Sequence, residues 1–200
     1  MPLTSTQIML MKSSLLAIAG LATSISSAAD PVSYLIEPTH TFVNWEARHF
    51  GVSTSRGRFE RTTGRVSYDA QARTGRIEIT IDLKSVSTGV APFDAHLRRE
   101  DYFDVERFPE ARFVSTDLRH EGDRLTEVHG TLTMRGVSKP LALKARRFSC
   151  YDNPFLKRQV CGGDFEASVV RSQYGMVHGL PVVVPDDAIQ LQIQVEAVRQ

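Results

Sequence analysis

The segment RIEITIDLK, Arg76–Lys84, alternates apolar and charged or polar side chains without interruption. Successive residues of a β-strand point to opposite faces, so Ile77, Ile79, Ile81 and Leu83 would share one face of a strand. This pattern is typical of a half-buried strand. The same period recurs around residues 34–37, 42–49, 57–61, 64–69, 112–118, 128–134, 141–145, 165–169 and 189–197. The sequence therefore predicts an all-β fold.

Short turn signals separate these segments. They occur at residues 62–64, 73–75, 121–123, 136–140 and 185–187, which are rich in Gly, Pro, Asp and Thr. Connections this short favour antiparallel neighbours, because a parallel pair needs a crossover of about a dozen residues or more. Eight or so antiparallel strands form a closed barrel or a sandwich.

Alternation over so many strands creates one continuous apolar inner surface. The interior of a barrel of about eight strands is either filled by side chains or hollow enough for one ligand. Small residues on the inner face leave room for a ligand, but ordinary packing of small against large residues gives the same pattern, and the pattern alone favours a filled core. These small residues are Ala47, Gly130, Ala145, Ala167 and Ala197.

A long interruption of the strand pattern lies between Thr88 and Phe113. It carries the aromatic residues Phe93, Tyr102, Phe103, Phe108 and Phe113. A loop of this length in a compact domain is uncommon unless it is functional or folded. We expect a short amphipathic helix over residues 92–101, with Phe93 and Leu97 on one face and an ion pair between Asp94 and Arg98. The segment is expected to cap a hydrophobic space.

The first residues are typical of a cleavable export signal. Lys12 precedes the apolar run Leu15–Ala22, and small residues follow up to Ala29. The apolar run is shorter than the ~20 residues that span a bilayer. We expect cleavage after Ala29, with Met11 as an alternative start, and a single domain over residues 30–200.

The charge balance argues against nucleic-acid binding. The chain has 24 Lys and Arg against 23 Asp and Glu, so removing Lys12 makes it formally neutral. An arginine-rich region fits either a solvated hairpin edge or a patch that binds anionic membranes. Its members are Arg56, Arg58, Arg61, Arg65, Arg73 and Arg76.

Cys150 and Cys161 flank a turn-prone cluster, and in an exported chain such a pair is expected to form a disulfide. Two cysteines without a suitably spaced histidine pair supply too few ligands for zinc, so no metal site is expected.

No sequence motif of a hydrolase, metalloprotease, nucleotide-binding loop or Rossmann fold occurs. His40 and His49 differ by an odd number and fall on opposite strand faces. A hairpin near Gly122 pairs His120 with Leu125 and leaves His129 beyond it. His49 shares a face with Trp45, and we interpret it as a core histidine with a partner rather than as a catalytic base.

Several motifs, in order along the chain, are similar to those of the YceI-like family of bacterial periplasmic polyisoprenoid-binding proteins. They are residues 34–45, 49–51, 57–59, 88–89, 94–98, 101–105, 108–109, 130–141 and 171–176. Gln173 stands where an acid is common in the family, which leaves a charge pair with Arg171 in question, and Tyr102 stands where Phe is common. The cysteine pair resembles one found in part of the family.

The resemblance implies a periplasmic, lipocalin-like, extended antiparallel barrel whose tunnel holds an isoprenoid chain such as a polyprenyl or quinone tail. It implies a carrier rather than an enzyme, with no required cofactor. We expect the tunnel, its wall or lid, and the contact nearest a head group (His49) to be formed by Val43, Trp45, Ala47, His49, Phe59, Ile79, Ile81, Phe93, Leu97, Phe103, Phe108, Phe113, Leu132, Met134 and Val169.

Alternatives of other classes remain open at this point. One is an enzyme that acts on a lipid head group with His49 or His96 as base. Another is a stress-related module that acts through protein contacts, with a large exposed apolar patch and no tunnel. Transient contact with a membrane or with membrane electron-transfer proteins, and a homodimer, are further expectations.

Overall fold

The computed structural model describes residues 31–180 and 186–200. The predicted export signal, residues 1–29, and Pro185 of the predicted last turn lie outside the described residues.

Most of the described chain forms β-strands. They are β1 (Val32–Ile36), β2 (Phe42–His49), β3 (Ser53–Phe59), β4 (Thr62–Asp69), β5 (Thr74–Asp82), β6 (Val86–Ser87), β7 (Glu110–Glu121), β8 (Arg124–Met134), β9 (Val137–Asn153), β10 (Arg158–Val170) and β11 (Ala188–Arg199). One α-helix, α1 (Ala91–Leu97), and two short 3₁₀ helices, Leu83–Ser85 and Arg171–Tyr174, complete the secondary structure of the described residues.

The strands close into an antiparallel barrel with eight positions. Three of these positions are each formed by two strands that follow one another in the chain: β1 and β2, β3 and β4, and β5 and β6. Within each pair, the two strands are hydrogen-bonded to the same neighbouring position of the barrel, so that β1 and β2 pair with β4 and β3, and these in turn pair with β5 and β6. The last strand closes the barrel by pairing with both parts of the first position, at Tyr34↔Arg199 and Val43↔Ile193. The prediction of an all-β antiparallel barrel is confirmed, and the sandwich alternative is wrong.

The barrel has two distinct ends. The cap end carries the β2–β3 turn, α1, the β8–β9 turn and residues 171–180. The hairpin end carries the tight turns β4–β5, β7–β8 and β9–β10. At the hairpin end Tyr34, Ile36, Cys161 and Ala197 pack with partly buried side chains that include Tyr68 and Phe148, so this end is filled.

Two predicted turns lie within strands. Residues 62–64 belong to β4, where Gly64 allows a close approach, since a Cβ there would lie 2.5 Å from the carbonyl oxygen of Glu78. Of residues 136–140, only Gly136 lies in the turn and Pro140 is inside β9. Within a strand, a glycine can mark a close approach of another backbone and a proline can mark an edge of the sheet, so neither residue by itself indicates a turn.

The pairing between β9 and β10 covers only part of their length. It runs from Arg158↔Asn153 to Glu166↔Lys144, with an irregularity after Asp164. Beyond that point β9 continues to Val137 beside β8, and β10 continues to Val170 beside β11. The wall is therefore less tightly closed near the cap end.

Large aromatic side chains fill the space above two inward glycines. A Cβ on Gly57 would lie 2.4 Å from Cζ2 of Trp45, and a Cβ on Gly130 would lie 2.4 Å from Cζ of Phe113. The prediction that Gly130 leaves room for a ligand is wrong, because Phe113 occupies that room.

The predicted cap helix exists but is shorter than expected. It ends at Leu97 because the carbonyl oxygens of Leu97 and Arg98 accept hydrogen bonds from the backbone N–H groups of Phe103 and Val105. None of the helices among the described residues is long and apolar enough to cross a membrane.

The predicted ion pair between Asp94 and Arg98 is wrong. The Asp94 carboxylate accepts hydrogen bonds from the backbone N–H and the hydroxyl of Thr88, at 2.7 and 2.6 Å. The Arg98 guanidinium donates to the carbonyl oxygens of Lys84 and Val86, both at 2.9 Å. These bonds attach α1 to the barrel rim, which is a stronger constraint than an exposed pair along the helix.

The arginine-rich region is a solvated, charge-balanced surface. Five of its six arginines lie within ion-pair distance of an Asp or Glu, and their side chains are 45–66% exposed; they are Arg56, Arg58, Arg61, Arg73 and Arg76. This arrangement supports the hairpin-edge interpretation over an anionic-membrane patch.

The predicted disulfide is confirmed. Cys150 of β9 and Cys161 of β10 are direct cross-strand partners and are bonded to each other.

We expect substitution of both cysteines by Ser to lower the free energy of unfolding by roughly 3 kcal/mol, because the unfolded chain regains the conformational freedom that the closed loop had removed. Urea denaturation measures this. Reductant should lower the free energy of unfolding of the wild type by the same amount and leave that of the double variant unchanged. Equal stability of the oxidised wild type, the reduced wild type and the double variant would contradict the prediction.

The contact between Trp45 and Gly57 gives a second prediction. Gly57→Ala should lower the free energy of unfolding by about 1–3 kcal/mol, because the added methyl group overlaps the indole ring. In a Trp45→Phe background the cost should be smaller, since the overlapping ring atoms are removed. Denaturation of the two single variants and the double variant measures the coupling, and additive costs would show that the contact is not responsible.

Candidate functional site

An apolar cavity of about 570 Å³ occupies the cap-end half of the barrel. Its volume lies within the roughly 300–1,000 Å³ typical of small-molecule sites. On β2 alone its wall extends from Val43 to His49, which corresponds to about 20 Å of strand. The cavity is therefore long as well as apolar, a shape that suits a chain-like ligand.

The predicted residues converge on this cavity. All except Phe108 line it: Val43, Trp45, Ala47, His49, Phe59, Ile79, Ile81, Phe93, Leu97, Phe103, Phe113, Leu132, Met134 and Val169. Their contact with a lipid stays a prediction. For the strand residues, the prediction from alternation succeeded because barrel closure turns the apolar face inward. Phe93, Leu97 and Phe103 were instead predicted from the cap segment, which closes over the same space.

Phe108 does not line the cavity. Its ring lies against the β8–β9 turn, where a Cβ on Gly136 would be 3.4 Å from it, and the guanidinium of Arg107 stacks over it at 5.1 Å from the centroid. Phe108 therefore belongs to the outer support of the cap.

Sequence reasoning missed several lining residues. Leu83, Leu141, Leu143, Ile189, Leu191 and Ile193 belong to inward alternations already identified in the sequence and could have been included. The remaining lining residues come from helices, turns and irregular segments, apart from two in strands, and apolar alternation signals none of them: Phe50, Ser55, His96, Tyr102, Ala111, Arg171, Met176, His178 and Gly179 complete the wall. Of these, Ser55 and Ala111 lie in strands but are too small or too polar to signal an apolar face.

The polar side chains of the wall are concentrated at the cap end. His49, His96, Tyr102, Arg171 and His178 all lie there. Burial raises the pKa of the Tyr102 phenol above its usual value, and the positive charge of Arg171 acts against that rise. The phenol is therefore neutral across the physiological range.

Two buried groups are notable for their hydrogen bonding. The guanidinium of Arg171 donates to the carbonyl oxygens of Met176 at 2.7 Å and Asp186 at 3.2 Å, which holds residues 171–176 against the start of β11. The indole N–H of Trp45 is buried and finds no hydrogen-bond acceptor within the described part of the chain. A ligand oxygen that reached it would satisfy a group whose burial is otherwise unfavourable.

The interpretation of His49 as a core histidine is wrong. It is exposed at the end of β2, where its ring contacts Phe50 with centroids 4.7 Å apart. The strand carries it beyond the barrel interior to the mouth of the cavity, so water can satisfy its nitrogens.

Exposed apolar side chains surround this end of the barrel. Phe50 is 54%, Val52 89%, Val90 54% and Val177 58% exposed. They come from the β2–β3 turn, the residue before α1 and the segment after Tyr174, all at the cap end. We call these four residues the apolar rim.

A sequence profile of the YceI-like domain matches residues 34–197. Protein YceI of Salmonella arizonae is 32% identical over 165 residues, which cover 82% of this chain and 84% of the relative. The fold is similar to that of BcnA from Burkholderia cenocepacia, with a TM-score of 0.67 and 21% identity over 80% of this chain and 98% of that one.

A further similar structure is a polyisoprenoid-binding domain from Saccharophagus degradans implicated in plant cell wall breakdown. It has a TM-score of 0.62 and 17% identity, and covers 84% of this chain and 99% of that one. Both solved structures confirm the barrel fold. Together with the profile match over most of the described strands, the sequence identity shows that this chain belongs to the YceI-like family.

Proposed function

We propose that this protein binds an isoprenoid lipid of the polyprenyl or quinone type in the barrel cavity and carries or stores it after export to the periplasm. The observation that carries the proposal is the long apolar cavity, which reaches the cap end beside a few polar groups. The isoprenoid-binding activity of the similar domain from Saccharophagus degradans adds support for the ligand class.

The energetics favour a reversible carrier. Burial of about 30 apolar carbons at ~0.8 kcal/mol each gives on the order of 24 kcal/mol before any costs. Non-covalent binding does not exceed roughly 18–21 kcal/mol. The ordering of a flexible chain and the loss of free motion offset a large part of the gain.

The two ends of the cavity suggest an orientation for the ligand. The apolar tail would extend toward the filled hairpin end between Val43, Ile79 and Ile193. A polar head group would lie at the cap end, where His49 and Tyr102 are placed, and its oxygen could accept from the buried N–H of Trp45.

The apolar rim suggests how a lipid enters. An apolar ring around the mouth of an apolar cavity lets the protein rest on a bilayer, so that a lipid tail passes between the two without crossing water. We propose transient membrane contact through Val52, Val90 and their neighbours.

The other classes receive less support. A module that acts only through protein contacts predicts no tunnel, whereas this barrel has a cavity. An enzyme acting on a head group would use His49 or His96 as base. Unchanged turnover of candidate lipids after His49→Gln and His96→Gln would dispose of that alternative.

Purified protein should carry a bound isoprenoid lipid, detectable by native mass spectrometry and solvent extraction. Ile193→Trp should weaken uptake of quinones or polyprenols by about tenfold or more, because the larger ring fills part of the cavity. Gln192→Trp is the matched control, since Gln192 is the exposed neighbour on the same strand. If the wild type neither co-purifies with lipid nor takes it up, the proposed function is wrong although the fold stands.

Transfer of lipid from vesicles should depend on the apolar rim. Val52→Asp and Val90→Asp should slow transfer by about tenfold, because a charge on the contact surface is costly to bring against the bilayer. Phe155→Asp is the control, since Phe155 is 91% exposed on the β9–β10 turn at the hairpin end. Equal transfer rates in all three variants would exclude the rim as the contact surface.

A further inference from the structure

Two histidines and an aspartate converge at the mouth of the cavity. His96 comes from α1, Asp101 from the turn after it, and His178 from the segment that follows β10. One ligand atom from each residue lies within 4.8 Å of the other two. The chain order hides this cluster, because β7–β10 separate His178 from His96 and Asp101 in the sequence.

The Asp101 carboxylate is only partly satisfied. Its Oδ2 lies 3.4 Å from Nδ1 of His178, while its Oδ1 is buried and has no hydrogen-bond partner among the residues that the structure describes. Nε of Arg99, on a side chain that is 65% exposed, lies 3.7 Å from Oδ1, beyond hydrogen-bond distance. A buried carboxylate oxygen without a donor is unfavourable unless a cation or another group compensates it.

Aromatic packing positions the two imidazoles. The ring centroid of Tyr102 lies 4.8 Å from that of His96 and 5.5 Å from that of His178, and the two histidine rings are 5.8 Å apart. Tyr102 is itself buried, so it forms a rigid surface against which both rings rest. This support restricts the rings to the neighbourhood of Asp101.

We propose that His96, Asp101 and His178 bind a divalent transition-metal ion of the zinc type. Two imidazole nitrogens and one carboxylate are a common ligand set for such ions, and three protein ligands leave a position open. His96 and His178 both line the cavity, so the open position faces the ligand space. The site therefore offers a Lewis-acidic contact to an oxygen that enters from the cavity.

The spacing requires a small adjustment. Tetrahedral ligands about 2.1 Å from zinc are roughly 3.5 Å from each other, less than the widest separation here. Nδ1 of His178 and Oδ2 of Asp101 already lie 3.4 Å apart, and the His178 side chain is 51% exposed, so a small shift of an imidazole within the cluster closes the remaining separation. The charges of Arg99 and Arg171 oppose a cation, while the Asp101 carboxylate favours it, so the site is expected to be weaker than a buried structural zinc site.

The test uses metal-free protein prepared with a chelator. Titration with Zn²⁺ by calorimetry and with Co²⁺ by visible absorption should show one saturable site per chain, with Co²⁺ displaced by Zn²⁺. The Tm should rise with Zn²⁺ concentration, because the ion binds the folded state.

Substitution identifies the ligands. Asp101→Asn and His178→Gln should each weaken binding on the order of 100-fold, since loss of even an outer partner costs 10–100-fold. His129→Gln is the matched control, because His129 pairs with Glu127 at 2.7 Å on the outer surface. The metal-free variants should unfold at the wild-type temperature, which separates ligand loss from misfolding.

Three results would overturn the inference. They are no saturable binding, binding that persists unchanged in the Asp101 and His178 variants, and equal weakening by His129→Gln. Lipid uptake is measured separately in the presence of chelator, so a failure of the metal site leaves the proposed lipid function untouched, and the reverse also holds.

Discussion

Closure of the barrel by β11 is the constraint on which the rest of this structure depends. Pairing of β11 with both β1 and β2 gives its backbone groups partners on both sides and leaves no open edge between the last strand and the first. Because the barrel is closed, the side chains on the inner face of every strand point into one enclosed apolar space. Without that closure, the same alternation would expose a wide apolar face to water.

Packing then divides the enclosed space in two. At the hairpin end, aromatic and aliphatic side chains around Tyr34 and Phe148 fill the interior. Trp45 over Gly57 and Phe113 over Gly130 show that large rings can take the space left by glycines on neighbouring strands. Both rings also form part of the cavity wall, so the cavity begins at the filled hairpin end and continues past them to the cap end.

The cap end combines three features that have different physical origins. The apolar rim is a set of exposed residues on turns, and α1 is attached by the Arg98 guanidinium to β6. Apart from His49 at the end of β2, the polar groups of the wall named above come from α1 and the segments between strands. Their proximity to one another and to the cavity mouth makes this end the place where a ligand and a membrane would meet.

The period-two pattern of residues such as Ile77, Ile79 and Ile81 determined the strands, the inner face and most of the cavity wall, because alternation is a local property of the chain. Cys150 and Cys161 determined their own pairing in the same way, through their spacing around a turn. The exposure of His49, the position of Phe108, the end of α1 at Leu97 and the cluster of His96, Asp101 and His178 were decided only by the tertiary structure. These features depend on contacts between segments distant in sequence, and no local period encodes which distant segments meet.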